Sequence, residues 1–98
     1  MMALGASGVI SVLANCLPKE THEIVQDYLD GNVGASLEKQ LKYLDFIHAL
    51  FIEVNPIPVK QALNYMGKDV GGYRLPLCEM DEKNAKILKA KMEDLGLC

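Results

Sequence analysis

At 98 residues, 50% of them hydrophobic, the chain is bounded to one small domain with a modest core. A net charge of -3, with a single arginine and no basic run, excludes an electrostatic footprint for nucleic acid. No apolar stretch reaches membrane-spanning length and no charged start leads into an apolar core, so neither a membrane partner nor a signal peptide is expected. Cys16, Cys78 and Cys98 are odd in number and widely spaced, unlike a disulfide framework, and the expectation is a soluble, reduced, cytoplasmic protein.

Taken in order, residues 1–5 read as the last turn of a helix closed by Gly5. Gly8-Val9-Ile10-Ser11-Val12 is a short β-branched run, so residues 8–12 are expected to form a buried strand. It has no companion. Every other segment reads as helix or loop, so one strand stands without a ladder, and sequence upstream is expected. After Pro18 the pattern turns helical over residues 18–31, with Thr21, Ile24, Val25 and Tyr28 on one face and Gly31 at the end. The longest helix is placed at 34–54. It has a narrow polar face of Glu38, Lys42, Asp45 and Glu53, with Glu38 and Lys42 spaced as an i,i+4 pair. Its apolar arc, including Leu41, Phe46, Leu50, Phe51 and Val54, is broader than one small neighbour covers.

The string Glu53-Val54-Asn55-Pro56-Ile57-Pro58-Val59-Lys60 stops that helix, because two prolines one residue apart cannot lie in a helix interior. Asn55 is expected to cap the next helix, 57–66, with Pro56 in its tolerant first turn. Residues 68–77 form a loop, with Gly71-Gly72 as a turn. Asp81 is expected to cap the final helix, 81–95, whose stripe is Ala85, Leu88, Met92 and Leu95. The fold class is therefore mainly α, four helices and one orphan strand.

Three strings carry a resemblance. They are Gly8-Val9-Ile10-Ser11-Val12 followed by Ala14-Asn15 and Pro18, then Asn55-Pro56-Ile57-Pro58-Val59-Lys60, then Arg74-Leu75-Pro76-Leu77. In this order and spacing the chain resembles the C-terminal third of the dihydrodipicolinate synthase family, over essentially its whole length. The resemblance implies a (β/α)8 TIM-barrel parent of ~250 residues with a helical extension. Residues 1–31 would supply the end of helix 7, strand 8 and helix 8 of the barrel, and residues 32–98 the extension. It further implies a homo-oligomeric class I aldolase of lysine biosynthesis that joins pyruvate, held as a Schiff base on a lysine, to aspartate semialdehyde, with no cofactor. The reactive lysine, the catalytic tyrosine and the threonine pair would lie upstream, so no catalytic residue is assigned here. Only Ile10 maps to the substrate pocket. The chain departs from the family pattern at Ala6-Ser7, where Gly-Lys is common, and at Leu13 and Cys78, where threonine is common.

The remaining candidates read as structural. Lys60 lies in the first turns of a helix, where lysines are mostly solvated or tied to a neighbour. His48 falls in line with Leu41, Leu44 and Phe51 and is expected to be packed and hydrogen-bonded; His22, at a helix start, is expected to be exposed. The histidines and cysteines make no zinc spacing, and no metal site is expected. Gly5-Ala6-Ser7-Gly8 precedes a strand and lacks a Gly-Lys-Ser/Thr ending, so it is no phosphate loop. The acidic pairs Asp81-Glu82 and Glu93-Asp94 sit at helix ends and suggest no acid–base couple. Two functions compete: an inactive C-terminal fragment of the aldolase, or a short helical self-association module without catalysis.

Overall fold

The computed structural model describes residues 1–98 and contains four α-helices: α1 Pro18–Leu29, α2 Val33–Ala49, α3 Ile57–Tyr65 and α4 Glu82–Asp94. Short 3-10 helices occupy Met2–Leu4 and Leu13–Asn15. The chain divides into two compact units, Met1–Leu44 and Asp45–Cys98, with the boundary inside α2. No helix is long and apolar enough to cross a membrane.

In the first unit, Gly5 closes the opening turn at φ +100, the left-handed conformation that an L side chain resists. The expected strand is absent. Residues 8–11 are irregular, and Val12 has already turned to helical dihedrals ahead of the Leu13–Asn15 turn. The physical reason is the one that made the segment conspicuous: a strand exists only as part of a ladder, and this chain provides no second strand. Leu13, Cys16 and Leu17 are buried where the turn packs against α1. Leu17 also receives the buried Thr21 hydroxyl, whose Oγ1 donates to the Leu17 carbonyl at 2.8 Å.

Helix α1 starts on Pro18, whose missing N–H costs nothing at a first turn, and gives way at Asp30 with Gly31 at φ +88. Ser36 Oγ on α2 donates to the Ile24 carbonyl on α1 at 2.7 Å. The Lys39 ammonium reaches Asp27 at 2.6 Å and Glu23 at 3.3 Å. Its pKa is raised, first by the hydrogen bond to Asp27 and then by Glu23 and both carboxylate charges, against some desolvation. The expected Glu38–Lys42 pair does not form; Lys42 instead lies 5.4 Å from the centroid of the Tyr43 ring. A flexible exposed pair gains too little to outweigh other solvated geometries.

Helix α2 ends at Ala49, five residues before its expected end, because the chain turns through Leu50 and Phe51 ahead of the proline pair. Its later turns bury Phe46, Ala49 and Leu50 in the second unit, while Leu41, His48 and Phe51 are exposed. His48 is therefore not a packed histidine, and its ring makes no hydrogen bond. Leu41 and Phe51 of its row are exposed with it, and the packed side of α2 is the one carrying Phe46 and Ala49. Asn55 does not cap α3. The cap position belongs to Pro56, which has no side-chain acceptor to offer, and Pro58 fills the first turn. Helix α3 packs against α4 through its buried Val59 and Ala62, with Leu88 and Met92 buried on α4.

Cys16 is the one buried thiol, and burial pushes its pKa up from 9.0 to about 11. The thiol therefore contributes its full stability below pH 9, and that contribution fades as pH rises from 9.0 towards about 11. At neutral pH, Cys78 and Cys98 should react with an aromatic disulfide reagent in the native protein, while Cys16 reacts only on unfolding. Three equally fast thiols would contradict the burial.

Candidate functional site

The site residue expected from sequence, Ile10, sits on an open segment. Gly5 turns the chain in, and residues 6–11 run without regular structure to the buried anchor at Leu13, Cys16 and Leu17. Asn15 Nδ2 donates to the Val12 carbonyl at 3.1 Å and fixes the far end. Ile10 is 106% exposed and Val9 59% exposed, so neither touches a pocket wall within this chain. Residues 7–11 make no backbone hydrogen bond. Such a segment can line a pocket only when other strands stand beside it, since a fully solvated isoleucine shapes no cavity.

The lysines give no nucleophile. An amine that forms a Schiff base at neutral pH needs desolvation or a cationic neighbour to depress its pKa. None of the lysines here is buried, and Lys39 is pushed the other way, towards firmer protonation. Lys60 Nζ donates to the Gly72 carbonyl and stands 5.4 Å from the centroid of the Tyr73 ring. One helical turn later, Asn64 Nδ2 donates to the Gly71 carbonyl at 3.2 Å and its Oδ1 accepts from the Val70 N–H at 2.9 Å. Lys60 and Asn64 together hold the loop over residues 70–73 against α3. Tyr73 completes this clasp, its hydroxyl 3.4 Å from both the Ile57 carbonyl and Gln61 Oε1. Its pKa is raised by burial first, then by the charges of Glu79 and Glu53 and by Tyr65. The i,i+4 spacing of Lys60 and Asn64, seven residues before a Gly-Gly turn, was the available sequence signal for the clasp.

A second unforeseen group is Glu53. The helix α4 cap residue, Asp81, is placed as expected, but its side chain makes no capping bond. Glu53 Oε2 does that work from the other side of the hinge, accepting from the Asp81 N–H at 3.0 Å and from Asn84 Nδ2 at 3.1 Å. His22 is exposed. No three His, Cys, Asp or Glu side chains gather with metal-binding geometry.

Comparison with known proteins gives this arrangement its context. The chain is 59% identical over 97 residues to 4-hydroxy-tetrahydrodipicolinate synthase of Acetivibrio thermocellus, covering 99% of this chain and 33% of that protein. It is 58% identical over 97 residues to the protein of the same name from Caldicellulosiruptor saccharolyticus, again with 99% and 33% coverage. The chain thus spans about a third of the length of the curated relatives it matches. Among solved structures, a dihydrodipicolinate synthase superposes with a TM-score of 0.96 at 52% identity, over 99% of this chain and 34% of that one. The Thermotoga maritima dihydrodipicolinate synthase gives 0.94 at 41% identity, over 99% and 33%. A family-wide sequence model matches residues 1–95, and with these relatives the chain belongs to the dihydrodipicolinate synthetase family.

Proposed function

We propose that this chain is the C-terminal third of a 4-hydroxy-tetrahydrodipicolinate synthase, a cytoplasmic, homo-oligomeric class I aldolase that condenses pyruvate with aspartate semialdehyde on the route to lysine. The observation that carries the reading is 59% identity across 97 residues to a synthase three times as long. In the assembled enzyme, residues 8–12 are the eighth barrel strand, α1 is the eighth barrel helix, and residues 32–98 form the helical extension. Ile10 then lines the pyruvate site from the strand. The Schiff-base lysine and the proton-transfer groups belong to the upstream barrel, a reading supported by the lack of any buried lysine here. Catalysis depends on groups placed around the reacting carbon, so this third alone performs none.

Borohydride reduction in the presence of pyruvate tests the assignment. The 98-residue chain should show no mass increase, whereas a stable adduct would place the reactive lysine within these residues. A second reading, a helical self-association module, is favoured by Leu37, Leu41, Phe51 and Val54, which α2 and the turn after it leave exposed. It requires those side chains to be covered in solution, and sedimentation at several concentrations distinguishes the two.

A further inference from the structure

The segment between α3 and α4 has almost no structure of its own. Within residues 69–80 the one backbone–backbone bond is a turn, the Leu77 N–H donating to the Arg74 carbonyl at 2.8 Å. The remaining hydrogen bonds gather at two pins. At the near end, Lys60, Asn64 and Tyr73 join residues 70–73 to α3. At the far end, Glu53 Oε2 accepts from the Asp81 N–H and from Asn84 Nδ2. Glu53 and Lys60 are the first and last residues of the hinge string, so one short string holds the segment at both ends.

Two observations join the pins. Residues 74–80 lie between them, with Leu77 half-buried and Met80 buried. Fixing the backbone of each such residue opposes folding by about as much as one net hydrogen bond favours it, so neither pin alone offsets the ordering of the whole stretch. The pins also interact through charge: Glu53, from the far end, and Glu79 both help to hold the Tyr73 hydroxyl protonated, second to its burial.

We propose that residues 68–81 are a strap with a two-pin latch, in which Glu53 and Lys60 engage and release together, so that opening frees the strap and the first turn of α4 in one event. A group that displaced Lys60 from the Gly72 carbonyl would then loosen α4 without touching it. All these contacts lie within the Asp45–Cys98 unit and need no residue from outside the chain. The inference does not depend on the reaction assigned to the longer enzyme.

Amide hydrogen exchange on the 98-residue chain tests the latch, because each pin carries its own reporter. These are the Val70 N–H on Asn64 Oδ1 and the Asp81 N–H on Glu53. Corrected for intrinsic rates, the two should be protected equally to within about fivefold, since one opening exposes both. Lys60→Met keeps the apolar stem and removes the ammonium. It should speed exchange at Asp81 as well as at Val70, by on the order of tenfold. Glu53→Ala should speed Val70 in return, because a coupling between two sites is reciprocal. The Met66 N–H, bonded to the Ala62 carbonyl at the end of α3, reports general unfolding and should keep its rate in both variants. Val70 and Asp81 protected to degrees further apart than about fivefold in the unaltered chain overturn the proposal, and that comparison requires no variant to fold. Lys60→Met with Val70 fast and Asp81 unchanged overturns it equally.

Discussion

Replacing Phe46 by alanine should destabilise the Asp45–Cys98 unit by about 3–5 kcal/mol, while Phe51→Ala, five residues on, should cost under about 1 kcal/mol. Phe46 is 0% exposed and among the largest fully buried side chains of the chain, whereas Phe51 is 55% exposed. A vacated phenylalanine site forfeits both the transfer energy of the ring and the contacts of the atoms that lined it. A small unit has only about 5 kcal/mol of net stability to lose, so Phe46→Ala should leave it largely unfolded at ambient temperature. Urea unfolding followed by circular dichroism measures both changes. Equal losses at the two positions would mean that Phe51 is covered in solution, which is what the self-association module demands through that face.

The second large effect is expected at Glu53. Its carboxylate is the only side chain that accepts from the start of α4, taking the Asp81 N–H and the Asn84 amide. A negative charge there also lies at the positive end of the α4 dipole. Glu53→Ala should therefore cost about 1–2 kcal/mol and speed hydrogen exchange in the first turn of α4. Glu53→Gln keeps an acceptor without the charge and should fall between. The control is Glu93→Ala, at an exposed position near the other end of the same helix. A loss at Glu53 no greater than at Glu93 would show that α4 does not depend on the remote carboxylate.

The helices were readable in the chain because proline, glycine and apolar spacing act locally. Pro18 and Gly31 bracket α1, Pro56 lies between α2 and α3 with Pro58 in the first turn of α3, and Gly96 follows α4, each within a few residues of its expected place. What local pattern could not decide was which side of α2 is packed. Apolar residues surround its later turns, so the row Leu41, Leu44, His48, Phe51 looked as internal as the row that buries Phe46 and Leu50. The misplacement of His48 follows from that ambiguity alone. The caps failed for a related reason. Asn55 and Asp81 are the right residue types at helix starts, yet the cap position of α3 is Pro56 and α4 is served by a carboxylate 28 residues earlier in the chain. Long-range acceptors of this kind leave no trace in a window of ten residues.

Residues 8–12 are a different case. Their composition announces a strand, and they form no ladder here because a ladder needs neighbouring strands. Ile10 is fully exposed for the same reason. The family strings flanking it were the legible part of the site: the strand motif, the hinge and Arg74-Leu75-Pro76-Leu77 identify the family without any pocket being present. The structural roles of Lys60 and Asn64 emerged only with the loop folded back on α3.

The most direct measurement of the proposed place of this chain is the activity of a chimaera. The Acetivibrio thermocellus synthase would keep its first two thirds, and this chain would replace the C-terminal third. If these residues supply the eighth strand and the extension, the chimaera folds, traps pyruvate under borohydride and condenses it with aspartate semialdehyde. A chimaera that fails to fold or shows no condensation, alongside an active parent treated identically, contradicts the assignment.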